Sequence, residues 1–312
     1  MSSAQPSSFA AALAAGTLVL DGGMSNQLEA AGYDLGDALW SARLLAEAPE
    51  AIVAAHLAYF AAGADVAITA SYQATFEGFA RRGVGRERAA ELIGRSVELA
   101  REAARRAGVA RRLWVAGSVG PYGAMLADGS EYRGRYGVGV AELERFHRAR
   151  VEVLVGAGVD VLALETVPDT DEAVALLRAV RGVGVPVWLS YTVEGLRTRA
   201  GQRLEEAFGL VAGVDEVVAV GVNCCAPREV GPAVGLAARV TGKPVVVYPN
   251  SGETWGGGGW VGRSAFSGFS GCSGFPSGMV RGWREGGARL VGGCCRVGPD
   301  VIASVAGVLR EG

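Results

Sequence analysis

Short apolar, β-branched runs alternate with amphipathic stretches along most of the chain. Residues 17–20, 65–69, 113–116, 161–164, 185–190, 217–222, 245–248 and 288–291 read as strands. Between most of them, 49–61, 86–107, 140–157, 170–180 and 228–240 carry the three-to-four-residue apolar spacing of a helix with one buried face. Continuously apolar strands separated by helices are covered on both faces, which is the habit of a parallel sheet. Eight in succession predict an α/β fold closed into a TIM-like (β/α)8 barrel. The competitor is an open doubly wound sheet. It lacks support because Asp21-Gly22-Gly23-Met24 follows the first run in place of a G-x-G-x-x-G turn, and no P-loop occurs.

Gly63-Ala64-Asp65-Val66, Gly158-Val159-Asp160-Val161 and Gly213-Val214-Asp215-Glu216 each read as a helix exit into a strand, glycine supplying the left-handed cap. The chain of 312 residues is therefore expected to hold one barrel domain over residues 15–312. The Ser/Ala-rich residues 1–14 are expected to be a short frayed leader. One segment breaks the pattern: a Gly-rich loop at 251–278 contains Gly256-Gly257-Gly258-Gly259 with Trp255, Trp260, Phe266, Phe269 and Phe275 interspersed. A loop of this length is either a flexible insertion or a mobile cover over the mouth of the barrel.

Charge narrows the partners. Thirty basic and 32 acidic residues give a formal net charge of -2, without the excess of positive charge that nucleic-acid binding requires. No run of 18 apolar residues is uninterrupted, and no basic segment precedes an apolar one at the N-terminus. Neither nucleic acid nor membrane is expected as a partner, and a cytoplasmic location is. The cysteines agree: all five fall in the last third, two pairs being adjacent, unlike a disulfide framework spread over a secreted chain.

In a barrel, the C-terminal strand ends converge on one site. Those ends carry Asp21, Glu165, Asn223-Cys224, Tyr248-Pro249-Asn250 and Gly292-Gly293-Cys294-Cys295. Cys224 follows the sixth strand and Cys294–Cys295 the eighth, so three thiols would meet across the mouth. Zinc suits them, because its filled d shell accepts tetrahedral thiolates and three protein ligands leave one position for substrate. Inert buried cysteines and redox chemistry are the alternatives. In an extended backbone Cys225 points away from Cys224, which leaves it outside the ligand set. Cys272 is open as a spectator or a fourth ligand.

The sequence resembles the homocysteine S-methyltransferase family, and is most similar to its short members that use S-methylmethionine or S-adenosylmethionine. The resemblance rests on Leu20-Asp21-Gly22-Gly23, Thr69-Ala70-Ser71-Tyr72-Gln73-Ala74, Gly117-Ser118-Val119-Gly120-Pro121-Tyr122-Gly123 and Glu165-Thr166. It continues through Gly221-Val222-Asn223-Cys224, Tyr248-Pro249-Asn250-Ser251-Gly252-Glu253 and Gly292-Gly293-Cys294-Cys295, in order over about residues 15 to 310. It implies a barrel holding Zn2+ through Cys224, Cys294 and Cys295, with homocysteine and a sulfonium methyl donor as substrates and methionine as product. Asp21 and Glu165 would share the three N–H donors of the substrate ammonium. Asn223 would orient a loop or contact substrate, and Ser71, Tyr72, Gln73 and Asn250 would line the pocket. Tyr72, Tyr122, Trp255 and Trp260 are aromatic candidates for the cationic donor, while His56 and His147 read as structural or surface residues. Betaine as donor, selenocysteine or another thiol as acceptor, and a non-catalytic zinc barrel are the competing functions. A monomer or weak dimer is expected.

Overall fold

The computed structural model describes residues 6–36, 39, 41–255, 260–261 and 274–311. The eight expected strands are present: β1 Leu18–Val19, β2 Val66–Ile68, β3 Trp114–Val119, β4 Val161–Val167, β5 Val187–Tyr191, β6 Val217–Asn223, β7 Val245–Tyr248 and β8 Ala288–Val291. They form one parallel sheet in the order β1-β8-β7-β6-β5-β4-β3-β2. A parallel bridge between Leu20 and Val66 brings the last strand back to the first. There the Asp21 N–H donates to the Val66 carbonyl at 3.1 Å and the Asp65 N–H to the Val19 carbonyl at 2.7 Å. The protein is an α/β TIM-like barrel.

The period-2 alternation of each strand sorts its side chains between two cores. Leu162 and Leu164, like Val245 and Val247, face outward into the large layer beneath the helices. Val161, Ala163, Trp114, Ala116, Trp188, Ala219 and Val246 belong to a second cluster that fills the barrel. Continuing the same parity toward the C-terminal ends places Ser118, Glu165, Ser190, Asn223 and Tyr248 on the inner face. The interior is thus apolar at its N-terminal end and polar at its mouth.

The frayed leader expected over 1–14 is corrected for residues 9–14. Phe9–Ala15 forms helix α1, capped by Ser8 Oγ, which accepts from the Ala11 N–H at 3.2 Å. Its stripe of Phe9, Ala12 and Leu13 joins the interior cluster. Phe9 stands edge-on to Trp114, with ring centroids 5.6 Å apart, and also meets Trp188. The open N-terminal end of a barrel presents apolar side chains to water, and this short helix covers them.

Most of the Gly-rich loop, including Cys272, lies outside the described residues, as do the side chains of Trp255 and Trp260. Of its backbone, Thr254–Trp255 pairs antiparallel with Trp260–Val261.

Candidate metal centre and substrate cavity

The end of β6 builds the first half of the site. Cys224 adopts φ 50°, a left-handed turn that few non-glycine residues take. Its N–H donates to the Tyr248 carbonyl at 3.2 Å, and its carbonyl accepts from Thr192 Oγ1 at 3.2 Å. The turn carries Cys225 into the outer core, where burial raises its thiol pKa well above the usual range. Cys225 therefore stays apart from the other thiols.

The second half follows β8. Gly292 and Gly293 donate to the Val247 and Asp21 carbonyls at 3.0 and 3.1 Å, and Cys294 donates to Pro249 O at 2.8 Å. A Cβ on Gly293 would come within 2.0 Å of Val297, so only glycine fits this passage. The Cys295 N–H is held by Asn250 Oδ1 at 3.1 Å. The Cys295 sulfur consequently lies 3.8 Å from Cys224 Sγ and 4.0 Å from Cys294 Sγ, all three sulfurs lying within 4.8 Å of one another. Four sulfurs about 2.3 Å from a tetrahedral zinc are separated by about 3.8 Å, so this triangle has the right edge for such an ion.

The protonation pattern agrees with a cation site. Hydrogen bonds from Cys294 and Cys295 hold the Cys224 thiol well below its usual pKa, while those two thiols are themselves pushed up. The trio holds one negative charge easily and resists two more until a positive ion offsets them. Tyr132 Oη stands 3.2 Å from Cys224 Sγ, and the Asn250 side chain also bonds that sulfur.

The sulfurs form part of a cavity of about 590 Å³ whose walls include Asp21, Tyr72, Gln73, Glu131, Tyr132, Glu165 and Tyr248. Asp21 is 2 % exposed; its Oδ2 accepts from the Ile68 N–H at 2.8 Å and its Oδ1 is buried without a partner. Burial raises its pKa well above the carboxylate range, and the neighbouring Glu165 adds to the rise. Glu165 is pushed to about 7 by burial, against the opposing hydrogen bonds of the Ser118 and Tyr248 hydroxyls. Two such carboxyls cannot both ionise cheaply unless a cation sits between them.

The remaining expected residues divide. Tyr72 and Gln73 line the cavity, Gln73 anchored through Nε2 to Ala124 O at 2.9 Å. Ser71 does not; its hydroxyl meets Thr69 Oγ1 at 2.7 Å and donates to Ser118 O at 2.8 Å. Asn223 is fully buried, its Oδ1 accepting from Thr166 N and Ser190 Oγ and its Nδ2 donating to Thr166 Oγ1. These bonds tie the ends of β4, β5 and β6 together, and Asn223 is not among the residues lining the cavity. Asn250 braces two of the cysteines and does not itself line the cavity. Tyr122 is packed against Tyr136 and Phe146. His56 and His147 are both fully buried.

Sequence reading missed Glu131 and Tyr132. They sit on a 3-10 turn, Ser130–Tyr132, after β3. Gly123 permits that turn, since a Cβ there would lie 2.4 Å from the Glu131 nitrogen. The Asp-Gly pair just before the turn was a legible loop signal, but nothing local pointed the turn into the mouth.

Fold and site together define a barrel enzyme that handles a thiol substrate at a three-cysteine site capable of holding a metal. The chain belongs to the homocysteine S-methyltransferase family, whose profile matches residues 18–309. It is 46% identical over 315 residues to Homocysteine S-methyltransferase 4 of Zea mays, covering 96% of this chain and 91% of that protein. It is 40% identical to the selenocysteine methyltransferase of Astragalus bisulcatus, covering 94% of this chain and 93% of the relative. The metallated form of the Escherichia coli homocysteine methyltransferase MmuM superposes with a TM-score of 0.82 at 43% identity, covering 94% and 96% of the two chains. Homocysteine methyltransferase activity on small-molecule substrates follows from this membership. Among the described residues no single helix is long and apolar enough to cross a membrane.

Proposed function

We propose that the protein transfers a methyl group from S-methylmethionine or S-adenosylmethionine to homocysteine, forming methionine, with Zn2+ held by Cys224, Cys294 and Cys295. The observation that carries this reading is the triangle of sulfurs set in the same cavity wall as two buried carboxyls, Asp21 and Glu165. When bound there, zinc supplies a Lewis acid that lowers the pKa of an incoming thiol and keeps it as thiolate.

The chain's own residues do the rest. Asp21 and Glu165 accept from the homocysteine ammonium, whose charge relieves the strain of ionising both, and this fixes the amino-acid end relative to the thiol. Tyr72 and Gln73 form side wall, and Asn223 and Asn250 hold the loops that carry the cysteines. The methyl carbon forms a bond to the acceptor sulfur as its bond to the donor sulfur breaks, the electron pair remaining on the donor. The thiol proton leaves on binding, and both products are neutral at sulfur. The unpaired thiols suit the reducing cytoplasm, where we place the enzyme.

Incubation of the zinc-loaded protein with homocysteine and, separately, S-methylmethionine, S-adenosylmethionine or betaine should give methionine with a sulfonium donor. Methionine from betaine alone overturns the donor assignment, and none from any donor overturns the function. The similarity to the Astragalus protein supports selenocysteine as a second acceptor, tested by the same assay with that acceptor in place of homocysteine.

A further inference from the structure

The cavity is lined by four acidic residues, Asp21, Glu29, Glu131 and Glu165, and by neither lysine nor arginine among its described walls. With three cysteines beside them, the walls favour cations throughout. Methyl transfer from a sulfonium brings two: the acceptor's ammonium and the donor's positively charged sulfur. Asp21 and Glu165 serve the first. Of the other two, Glu29 is exposed, which leaves Glu131.

Its placement is built. Ala127 and Gly129 both take left-handed backbone conformations, and Asp128 Oδ1 accepts from the Ser130 N–H at 3.0 Å. Buried Ser130 then uses its carbonyl to accept from Arg133 and Gly134, each at 2.9 Å. The turn rests directly on Gly123. One carboxylate oxygen, Glu131 Oε2, is shut away from solvent with no hydrogen-bond partner. The next residue, Tyr132, reaches the Cys224 sulfur at 3.2 Å, and Glu131 itself lines the same cavity close enough to Cys224 for their charges to interact. A donor methyl must approach that region to meet the acceptor sulfur.

Building on the proposed function, we propose that Glu131 selects the methyl donor, its carboxylate attracting the positive charge of a sulfonium. The attraction is greatest before transfer, because the sulfonium charge disappears as the methyl leaves. Glu131 therefore strengthens donor binding without accelerating the chemical step, and whatever part of the attraction fades as the charge disperses works against that step.

The test compares wild type with Glu131→Gln and Glu131→Asp, each checked by thermal melting. Glu131→Gln should raise the KM for S-methylmethionine roughly 10- to 100-fold, the loss of one ionic attraction, with kcat unchanged or raised and the homocysteine KM within about threefold. Glu131→Asp should recover part of the loss. Calorimetric binding of S-methylmethionine and of methionine, which differ by the methyl that charges the sulfur, gives a second readout that needs no turnover. Glu131→Gln should weaken the sulfonium and leave methionine unchanged. An unchanged ratio of the two affinities, or an equal rise in the homocysteine KM, overturns the assignment. If the wild type makes no methionine, the proposed function falls while the binding ratio still decides the role of Glu131.

Discussion

Asp21 and Glu165 are held in the fold against their own solvation. Burial raises both pKa values, Glu165 to about 7, and the charge of Glu165 makes Asp21 harder still to ionise. A carboxyl whose folded pKa lies above its ordinary value contributes stability that is fully present below the ordinary value. That contribution is lost as pH rises through the folded value. For Glu165 the window runs from the usual carboxylate range to about 7. An ammonium ligand reverses the loss, so its binding should tighten as pH rises. The thiol-free analogue 2-aminobutyrate isolates this effect, because its ammonium stays charged while no thiol titrates. Its dissociation constant should fall by up to about tenfold per pH unit below the Glu165 pKa and change less steeply above it. In Glu165→Gln, binding should be weaker and this pH dependence reduced. Titration calorimetry between pH 5.5 and 8.5 checks it, and equal wild-type affinity across that range would remove Glu165 from the ammonium site.

At the scale of elements, helix α1 shows where a composition-based expectation fails. Ala and Ser dominate the first fifteen residues, so the three residues that pack, Phe9, Ala12 and Leu13, are outnumbered by neighbours that carry no pattern. Phe9→Ala should cost about 3 kcal/mol, the ordinary penalty for emptying a buried aromatic site. Urea unfolding should show a lower midpoint with an unchanged slope, and an unaltered midpoint would mean that α1 contributes nothing to the barrel. The strands were legible because each needed only a short β-branched run. Their C-terminal extensions were less so: β3 continues through Gly117 and Ser118, and β4 through Glu165 and Thr166, where polar residues replace apolar ones because the barrel mouth is wet. The same parity that ends the apolar pattern puts Ser118 and Glu165 into the site. Cysteines and carboxylates at strand ends could therefore be placed from sequence. Asn223 and Ser71 could not be separated from wall residues, since only the structure shows them bonded to Thr166, Ser190 and Ser118 and absent from the cavity lining. Glu131 was hidden for another reason: it enters from a loop whose direction depends on contact with Gly123.

For the molecule as a whole, an ion at the proposed metal site would act as a tether as well as a chemical centre. Cys224 and Cys295 lie 71 residues apart, on the ends of β6 and β8, with β7 between them. The three ends are already laced by backbone bonds: Cys224 to Tyr248, Cys294 to Pro249, and Asn250 to Cys225. An ion bound by all three sulfurs would join these elements in the folded state, and the unfolded chain cannot assemble the triangle without paying the entropy of closing so long a loop. Binding to the folded state alone stabilises it by about 4 kcal/mol when free metal is a thousandfold above its dissociation constant. For a chain of this size that corresponds to a melting shift of roughly 5–10 °C. Zinc-loaded protein should therefore melt higher than the same protein stripped with a chelator under reducing conditions, and added zinc should restore the difference. Cys224→Ser should abolish both the restored shift and most of the bound zinc measured by elemental analysis, because two thiolates no longer enclose the ion. Identical melting curves for stripped and reloaded wild type, or a Cys224→Ser protein that keeps full zinc, would place the metal somewhere other than this triangle.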